Sequence, residues 1–165
     1  MKKSTKFLVE SALIAAIYAA ATLVIAPIGY GTLQFRISEA LTILPVFTPA
    51  AIPGLTLGCL ISNVISPLGV ADMVFGTLAS LLGAVGTYLL RNVKVKGFPV
   101  LAPLPPIIFN AVIIGVLNTY LGGFSVGAFA IAAGYIALTE AVSCYVLGGA
   151  VYFGAKRIFK RYVNE

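Results

Sequence analysis

A chain of 165 residues with 60% hydrophobic and only 10% charged side chains has too little polar cover for a soluble domain of its size. Its mean hydropathy of +1.05 is that of an integral membrane protein, and residues 1–165 read as a single transmembrane domain. A net charge of +6 in a soluble protein suggests nucleic acid, but here the basic residues flank apolar runs and serve orientation, which excludes nucleic acid as a partner.

A spanning helix needs about 20 apolar residues. Lys2, Lys3 and Lys6 precede the first run, residues 7–26, which is interrupted only by Glu10 and stops at Pro27. Lysines before an apolar run are also the pattern of a signal peptide. This run is too long, and no small-residue cleavage site leads into a polar mature chain, so an uncleaved first span is expected. Two shorter runs come next, 37–47 and 50–65, around Thr48, Pro49 and Ala50. They form either one broken hairpin or two short helices. Two helices are expected, because an even number of spans returns every basic cluster to one face. The fourth span is 70–90, followed by Arg91, Lys94 and Lys96. The fifth is 100–121, where Pro99, Pro103, Pro105 and Pro106 crowd the start. Prolines are tolerated only in a first helical turn, so the helix is expected to begin near Pro106. The sixth, 125–155, is long enough to tilt or protrude and ends in Lys156, Arg157, Lys160 and Arg161. Gly29 and Gly31 around Tyr30, and Gly122 with Gly123, mark sharply bending outer loops.

Basic residues beside membrane spans stay cytoplasmic. The chain is therefore expected to be an all-α integral membrane protein, a bundle of six transmembrane helices with both the N- and the C-terminus cytoplasmic. Ten of its eleven basic residues obey this map, and Arg36, on the outer side, is the exception.

What is missing narrows the chemistry. Without histidine there is no imidazole metal site and no histidine-based triad, and Cys59 with Cys144 is too few for a zinc cluster. Both cysteines fall inside spans and read as small packing residues. No G-x-x-x-x-G-K-[ST] motif occurs, so if the protein works against a gradient the ATP is spent elsewhere. No catalytic residue, metal or cofactor is expected.

Small residues recur at four-residue spacing on three spans: Ala12, Ala16 and Ala20; Gly76, Ser80 and Ala84; and Ala133, Ala137 and Ala141. Smooth stripes let helices approach closely in lipid. By spacing alone the first stripe faces either the bundle or an external partner.

An ionised group in hydrocarbon is costly and normally faces a bundle interior or a watery cavity. Glu39, Asp72 and Glu140 are the candidates, with Asn63, Asn110 and Asn118 in support, so that six polar side chains from five spans can converge on one outward-opening pocket. Each has an alternative. Arg36 and Glu39, three residues apart, can pair with each other. Asp72 can cap the fourth helix, and the asparagines can hold helices together. Glu140 has no basic residue within a turn or two, and it must find a distant partner, be protonated or bind something. The aromatic rings of Tyr18, Tyr30 and Phe35 can cover a flat ligand.

The stretch Gln34-Phe35-Arg36-Ile37-Ser38-Glu39-Ala40-Leu41-Thr42, followed by Asn63-Val64, Ser66, Leu68-Gly69, Asp72 and Phe75-Gly76-Thr77-Leu78, resembles the QueT family of queuosine-precursor transporters over almost the whole chain. The resemblance implies a substrate-binding S component of an energy-coupling factor (ECF) transporter in the bacterial plasma membrane. Its implied partners are a coupling transmembrane subunit and two ATPase subunits, and its substrate a 7-deazaguanine such as preQ1 or queuine. In the wider class an A-x-x-x-A stripe on the first helix meets the coupling subunit, and Ala12, Ala16 and Ala20 fit it. A guanine-like edge offers donors to a carboxylate and a carbonyl to an amide or guanidinium. An aminomethyl substituent adds a cation that needs a second acid. Glu39, Asp72 and Glu140 supply the carboxylates, Asn63, Asn110 or Arg36 can meet the carbonyl, and Tyr30 and Phe35 can stack on the ring. Which acid meets which group stays open at this point. An S component for another vitamin, an intramembrane enzyme and a small structural membrane protein are the competing readings. The missing histidine and the lack of a paired nucleophile and base count against the enzyme.

The charge map predicts that cysteines introduced at positions 2 and 164 react with an impermeant label only after cells are permeabilised. Labelling of either end in intact cells contradicts the topology.

Overall fold

The computed structural model describes residues 3–26, 36–121 and 125–159, with only the backbone of residues 121 and 158. Among them every regular element is helical: α1 (Lys3–Val24), a 3₁₀ helix (Ile37–Val46), α2 (Ala51–Asn63), α3 (Val70–Leu90), α4 (Leu104–Leu121) and α5 (Val126–Ala141). The last of these continues without a break through a π turn (Val142–Leu147) into α6 (Gly148–Ile158). Helices are found in all six expected segments. Three continuous helices are long and apolar enough to cross a membrane: Lys3–Val24, Val70–Leu90 and Val126–Arg157. Burial runs opposite to that of a soluble protein: Leu13, Ile17, Leu57, Ile61, Val74 and Leu138 are exposed, whereas Ser38, Glu39, Asn63, Asp72 and Thr87 are buried. Such a surface suits lipid, in which polar groups must be satisfied from inside the protein.

Two elements are more specific than expected. The second span is a 3₁₀ helix throughout its ten residues, with Pro45 inside it. At about 2.0 Å per residue this form covers about 20 Å, whereas an α-helix of equal length covers about 15 Å. A short apolar run is thereby stretched toward spanning length. The fifth helix begins at Leu104, slightly before Pro106, because Pro105 and Pro106 both fit its first turn, where no amide donor is needed.

The helices α1, α2, α3, α4 and α5 pack in chain order, each on the next, and the 3₁₀ helix sits in the middle against α1, α2, α3, the π turn and α6. The seam of α1 on α2 is a close one. A Cβ added at Gly54 would meet Ile14 Cβ and Ser11 O at 2.9 Å, and one at Gly58 would meet Tyr18 Cβ at 2.8 Å and Ala15 O at 2.9 Å. This Gly54-x-x-x-Gly58 pair is a helix-association motif that brings backbones into contact. It takes the Ser11, Ala15 and Ala19 side of α1, which is buried, and leaves Ala12, Ala16 and Ala20 exposed. The other two stripes point inward: Gly76, Ser80 and Ala84 are buried, and Ala133 lies against Gly115.

The described residues of the basic clusters lie toward one end of the bundle, Lys3 and Lys6 beside Thr48 and Lys156 beside Gly97. Thr48, in the turn after the 3₁₀ helix, donates to Glu10 Oε2 on α1 (3.0 Å), and Glu10 also pairs with Lys6 (3.6 Å). Phe47 of that turn stacks on Tyr152 and Phe159, while Tyr152 packs edge-on against Phe98 and donates its hydroxyl to Gly97 O (2.9 Å). Tyr145 ties the same helix to Val100 O (2.8 Å).

Replacing Gly58 with Ala forces α1 and α2 apart and is expected to cost about 1–3 kcal/mol, read as a lower Tm in detergent. Gly134→Ala on α5, where a Cβ meets nothing within 4 Å, is the control and leaves Tm unchanged or slightly raised.

Candidate functional site

The 3₁₀ helix stacks residues three apart on one face. Glu39 and Thr42 therefore line one side of it, and Ile43 and Val46 turn toward the aromatic cluster of Phe47 and Tyr152. Arg36 precedes the helix in extended backbone. Asn63 ends α2, Asp72 lies in the first turn of α3, Asn110 is on α4, and Glu140 is the penultimate residue of α5. All six side chains are buried, none more than 7% exposed.

Five of them fall into two groups. In the first, Arg36 Nη2 lies 3.5 Å from Asp72 Oδ2, and Ser66 Oγ donates to the same oxygen at 2.6 Å. Asn63 Nδ2 donates to the Asp72 backbone carbonyl (3.0 Å) and contacts Cys59 Sγ (3.4 Å). In the second, the Tyr18 hydroxyl donates to Glu39 Oε1, and Thr42 Oγ1 donates to Glu39 O (2.6 Å). Cys144 Sγ lies 3.5 Å from Thr42 Oγ1 and 3.7 Å from Glu140 Oε2. A carboxylate oxygen of Glu39, one of Glu140 and the Cys144 sulfur all lie within 4.8 Å of one another. The backbone joins the groups, since Glu39 N–H donates to Arg36 O (3.2 Å).

Irregular helix geometry builds this centre. Two non-α segments, the 3₁₀ helix and the π turn, pack on each other. A π turn adds a residue to the helical repeat and re-aims the side chains beyond it, and such turns are frequent at functional sites. Here it comes directly after Glu140 and its neighbour Ala141, and buries Ser143 and Cys144.

Four of the predicted residues carry buried atoms with no hydrogen-bond partner among the described residues: Glu39 Oε2, Asn63 Oδ1, Asp72 Oδ1 and Asn110 Nδ2. An unsatisfied buried polar group costs about 1–3 kcal/mol, so these four atoms are candidates for contacts beyond the described residues. Three are acceptors and one is a donor, a set that matches a ligand edge rich in N–H groups.

Several sequence expectations change. Arg36 pairs with Asp72 and not with Glu39. Asp72 does not cap α3: Gly69, at φ 60°, stands at the cap, and the Asp72 carboxylate turns to Ser66 and Arg36. Asn63 does join α2 to α3, and still has its amide oxygen unpaired. Asn110 is buried, but no hydrogen bond joins it to either group, and Asn118 is only half-buried. Tyr30 and Phe35 lie outside the described residues. Cys59 packs in the apolar core as expected, whereas Cys144 belongs to the polar centre. Sequence reasoning missed Ser66, Thr42 and Cys144, and assigned Tyr18 only an aromatic face. The spacing of Glu140 and Cys144, one helical turn, was the available signal. A separate apolar cavity of about 280 Å³ lies between α3 and α4, lined by Phe75, Ile113, Val116, Leu117 and Tyr120.

A helical bundle with a lipid-compatible surface and a central cluster of buried polar side chains defines a membrane protein with an internal polar site. Residues 8–157 match the QueT transporter family, and the chain belongs to that family. A curated protein named "Queuosine precursor transporter QueT", from Lactococcus lactis subsp. cremoris (strain MG1363), is 39% identical over 85 residues. The match covers 50% of this chain and 50% of that relative, so the chain spans about half the length of the curated protein it matches. No solved structure matches.

Asp72→Asn keeps the shape and leaves Arg36 buried without its counter-charge, which costs about 3–5 kcal/mol when a buried pair is broken. The double variant Arg36→Gln/Asp72→Asn removes both charges and is expected to recover part of the loss. Thermal unfolding should rank wild type above the double variant and the double variant above Asp72→Asn. A single variant as stable as wild type contradicts the pairing.

Proposed function

We propose that this chain is the substrate-binding S component of an ECF-type transporter, capturing a queuosine precursor of the 7-deazaguanine class, such as preQ1 or queuine, in the plasma membrane. In this reading residues 1–165 form one multi-pass domain with both termini on the cytoplasmic side. It works with a coupling transmembrane subunit and two ATPase subunits, which supply the ATP hydrolysis for which this chain has no P-loop. The observation that carries the reading is the set of unpaired buried atoms on Glu39, Asn63, Asp72 and Asn110. Membership of a transporter family and the name of the Lactococcus relative support the substrate class.

The guanine-like edge of a 7-deazaguanine presents N–H donors that Asp72 Oδ1 and Asn63 Oδ1 can accept, and a carbonyl that suits Arg36 or Asn110. Tyr30 and Phe35 are proposed to cover the ring. The coupling subunit is assigned to the Ala12, Ala16 and Ala20 face of α1. That face is exposed while the neighbouring Ala15 and Ala19 are consumed by α2, so a smooth strip is left on the lipid side where another helix can approach closely. Assembly with the basic end of the bundle on the cytoplasmic side places Lys3 and Lys6 beside the same face.

The test has two arms. Purified protein is titrated with 7-deazaguanines, riboflavin and thiamine, and only the deazaguanines are expected to bind; capture of riboflavin or thiamine instead assigns a different vitamin. Ala16→Phe is expected to abolish cellular uptake and co-purification with the coupling and ATPase subunits while binding by the isolated protein survives. Co-purification at the normal ratio would show that the alanine face is not the docking surface.

A further inference from the structure

We propose, resting on the deazaguanine reading above, that Glu39 and Glu140 form an ammonium subsite, and that this chain selects precursors whose 7-substituent carries a basic amine over neutral ones. The sequence left three acids open for two tasks, the ring edge and a cation. Tertiary contacts divide them. The charge of Asp72 is met by Arg36 at 3.5 Å and by the Ser66 hydroxyl at 2.6 Å. Neither Glu39 nor Glu140 forms a salt bridge among the described residues, yet they are 1% and 5% exposed and have carboxylate oxygens within 4.8 Å of each other.

Two carboxylates so close in a medium of low dielectric cannot both be ionised unless a cation joins them. Both retain acceptor capacity. Glu39 Oε1 is taken by Tyr18, but Oε2 is buried without a partner. Among the described residues the Glu140 carboxylate contacts the thiol of Cys144 at 3.7 Å, a weak donor. An ammonium carries three N–H groups, two of which can be shared between the acids. The third needs a neutral oxygen, and Ser143 Oγ, next in the chain to Cys144, is buried with no partner among the described residues.

A divalent metal fits less well. It needs the thiol ionised, and a thiolate beside the two carboxylates would place a third negative charge in the same buried cluster, with Cys144 Sγ 3.7 Å from Glu140 Oε2. The same division leaves Asp72 Oδ1 and Asn63 Oδ1 for the N–H donors of the ring edge. The proposed site thus has two poles, linked through the first turn of the 3₁₀ helix: an acid–amide pole to read the ring and an acid pair to read the substituent.

The experiment is calorimetric titration of the purified full chain with two probes that share the ring, 7-aminomethyl-7-deazaguanine and 7-cyano-7-deazaguanine. Wild type is expected to bind the amine about tenfold or more tightly than the nitrile, the factor that one charge-assisted hydrogen bond supplies. Glu140→Gln and Glu39→Gln should each weaken the amine by a similar factor and leave the nitrile nearly unchanged, erasing the preference. Equal wild-type affinities, or a Glu140→Gln variant that loses both probes alike, overturn the subsite and leave the deazaguanine reading standing. Failure of folded wild type to bind either probe overturns both. Thermal unfolding of each variant accompanies the titrations, and should Glu140→Gln not fold, the wild-type preference between the two probes decides.

Discussion

The contact on which the rest of the bundle depends is the approach of α1 to Gly54 and Gly58 of α2. With no side chain at either position the backbones nearly touch, and a Cβ there would stand within 3 Å of α1 atoms. That closeness sets the rotation of α1. Ser11 reaches Ala50 O at 3.0 Å, Thr22 reaches Ser38 Oγ at 2.7 Å, and Tyr18, fully buried between them, delivers its hydroxyl to Glu39. In a bilayer no hydrophobic force drives helices together, so dispersion contact of this kind and interhelical hydrogen bonds must do so. One rotation therefore decides two features, the carboxylate that α1 steadies inside and the alanine strip it offers outside.

The centre is assembled from helices that are not α-helical. A ten-residue 3₁₀ helix is long for its kind, since its hydrogen bonds are poorer and its side chains eclipse. Packing on all sides holds it: apolar residues of α6 on one flank, the π turn on another, α1 and α3 beyond. Eclipsing is useful here, because it sets Glu39 and Thr42 one above the other against Cys144. The π turn answers from the facing helix. Locally unfavourable geometry is concentrated where the polar side chains meet, as in many functional sites.

The three buried acids, alike in sequence, come to differ by their neighbours. Asp72 is a neutralised, hydrogen-bonded member of a network tying the start of the 3₁₀ helix to α3. Glu39 and Glu140 face each other from separate helices and form no salt bridge among the described residues. In a low-dielectric interior such differences weigh more than in water, because every unpaired group forgoes solvent compensation. What separates the three acids is which of them already has a partner.

Much of this was legible in the chain. Apolar runs bounded by lysines and arginines located the six helical segments, since a backbone in lipid must satisfy its own hydrogen bonds and helices do so locally. The cost of burying Glu39, Asn63, Asp72, Asn110 and Glu140 singled them out, as that cost depends on residue type and not on neighbours. The resemblance carried by the segment from Gln34 to Thr42 and by Asn63, Ser66 and Asp72 pointed to the family. Pairings were not legible. Arg36 stands three residues from Glu39 and thirty-six from Asp72, yet bonds to the distant one, because the close packing of α3 on the 3₁₀ helix decides which carboxylate it reaches. Nor could spacing tell which of three small-residue stripes would remain uncovered, or that Cys144 would join the acids. Periodicity assigns residues to a face, but the direction of that face is set by helices elsewhere in the chain, and only the folded bundle brings them together.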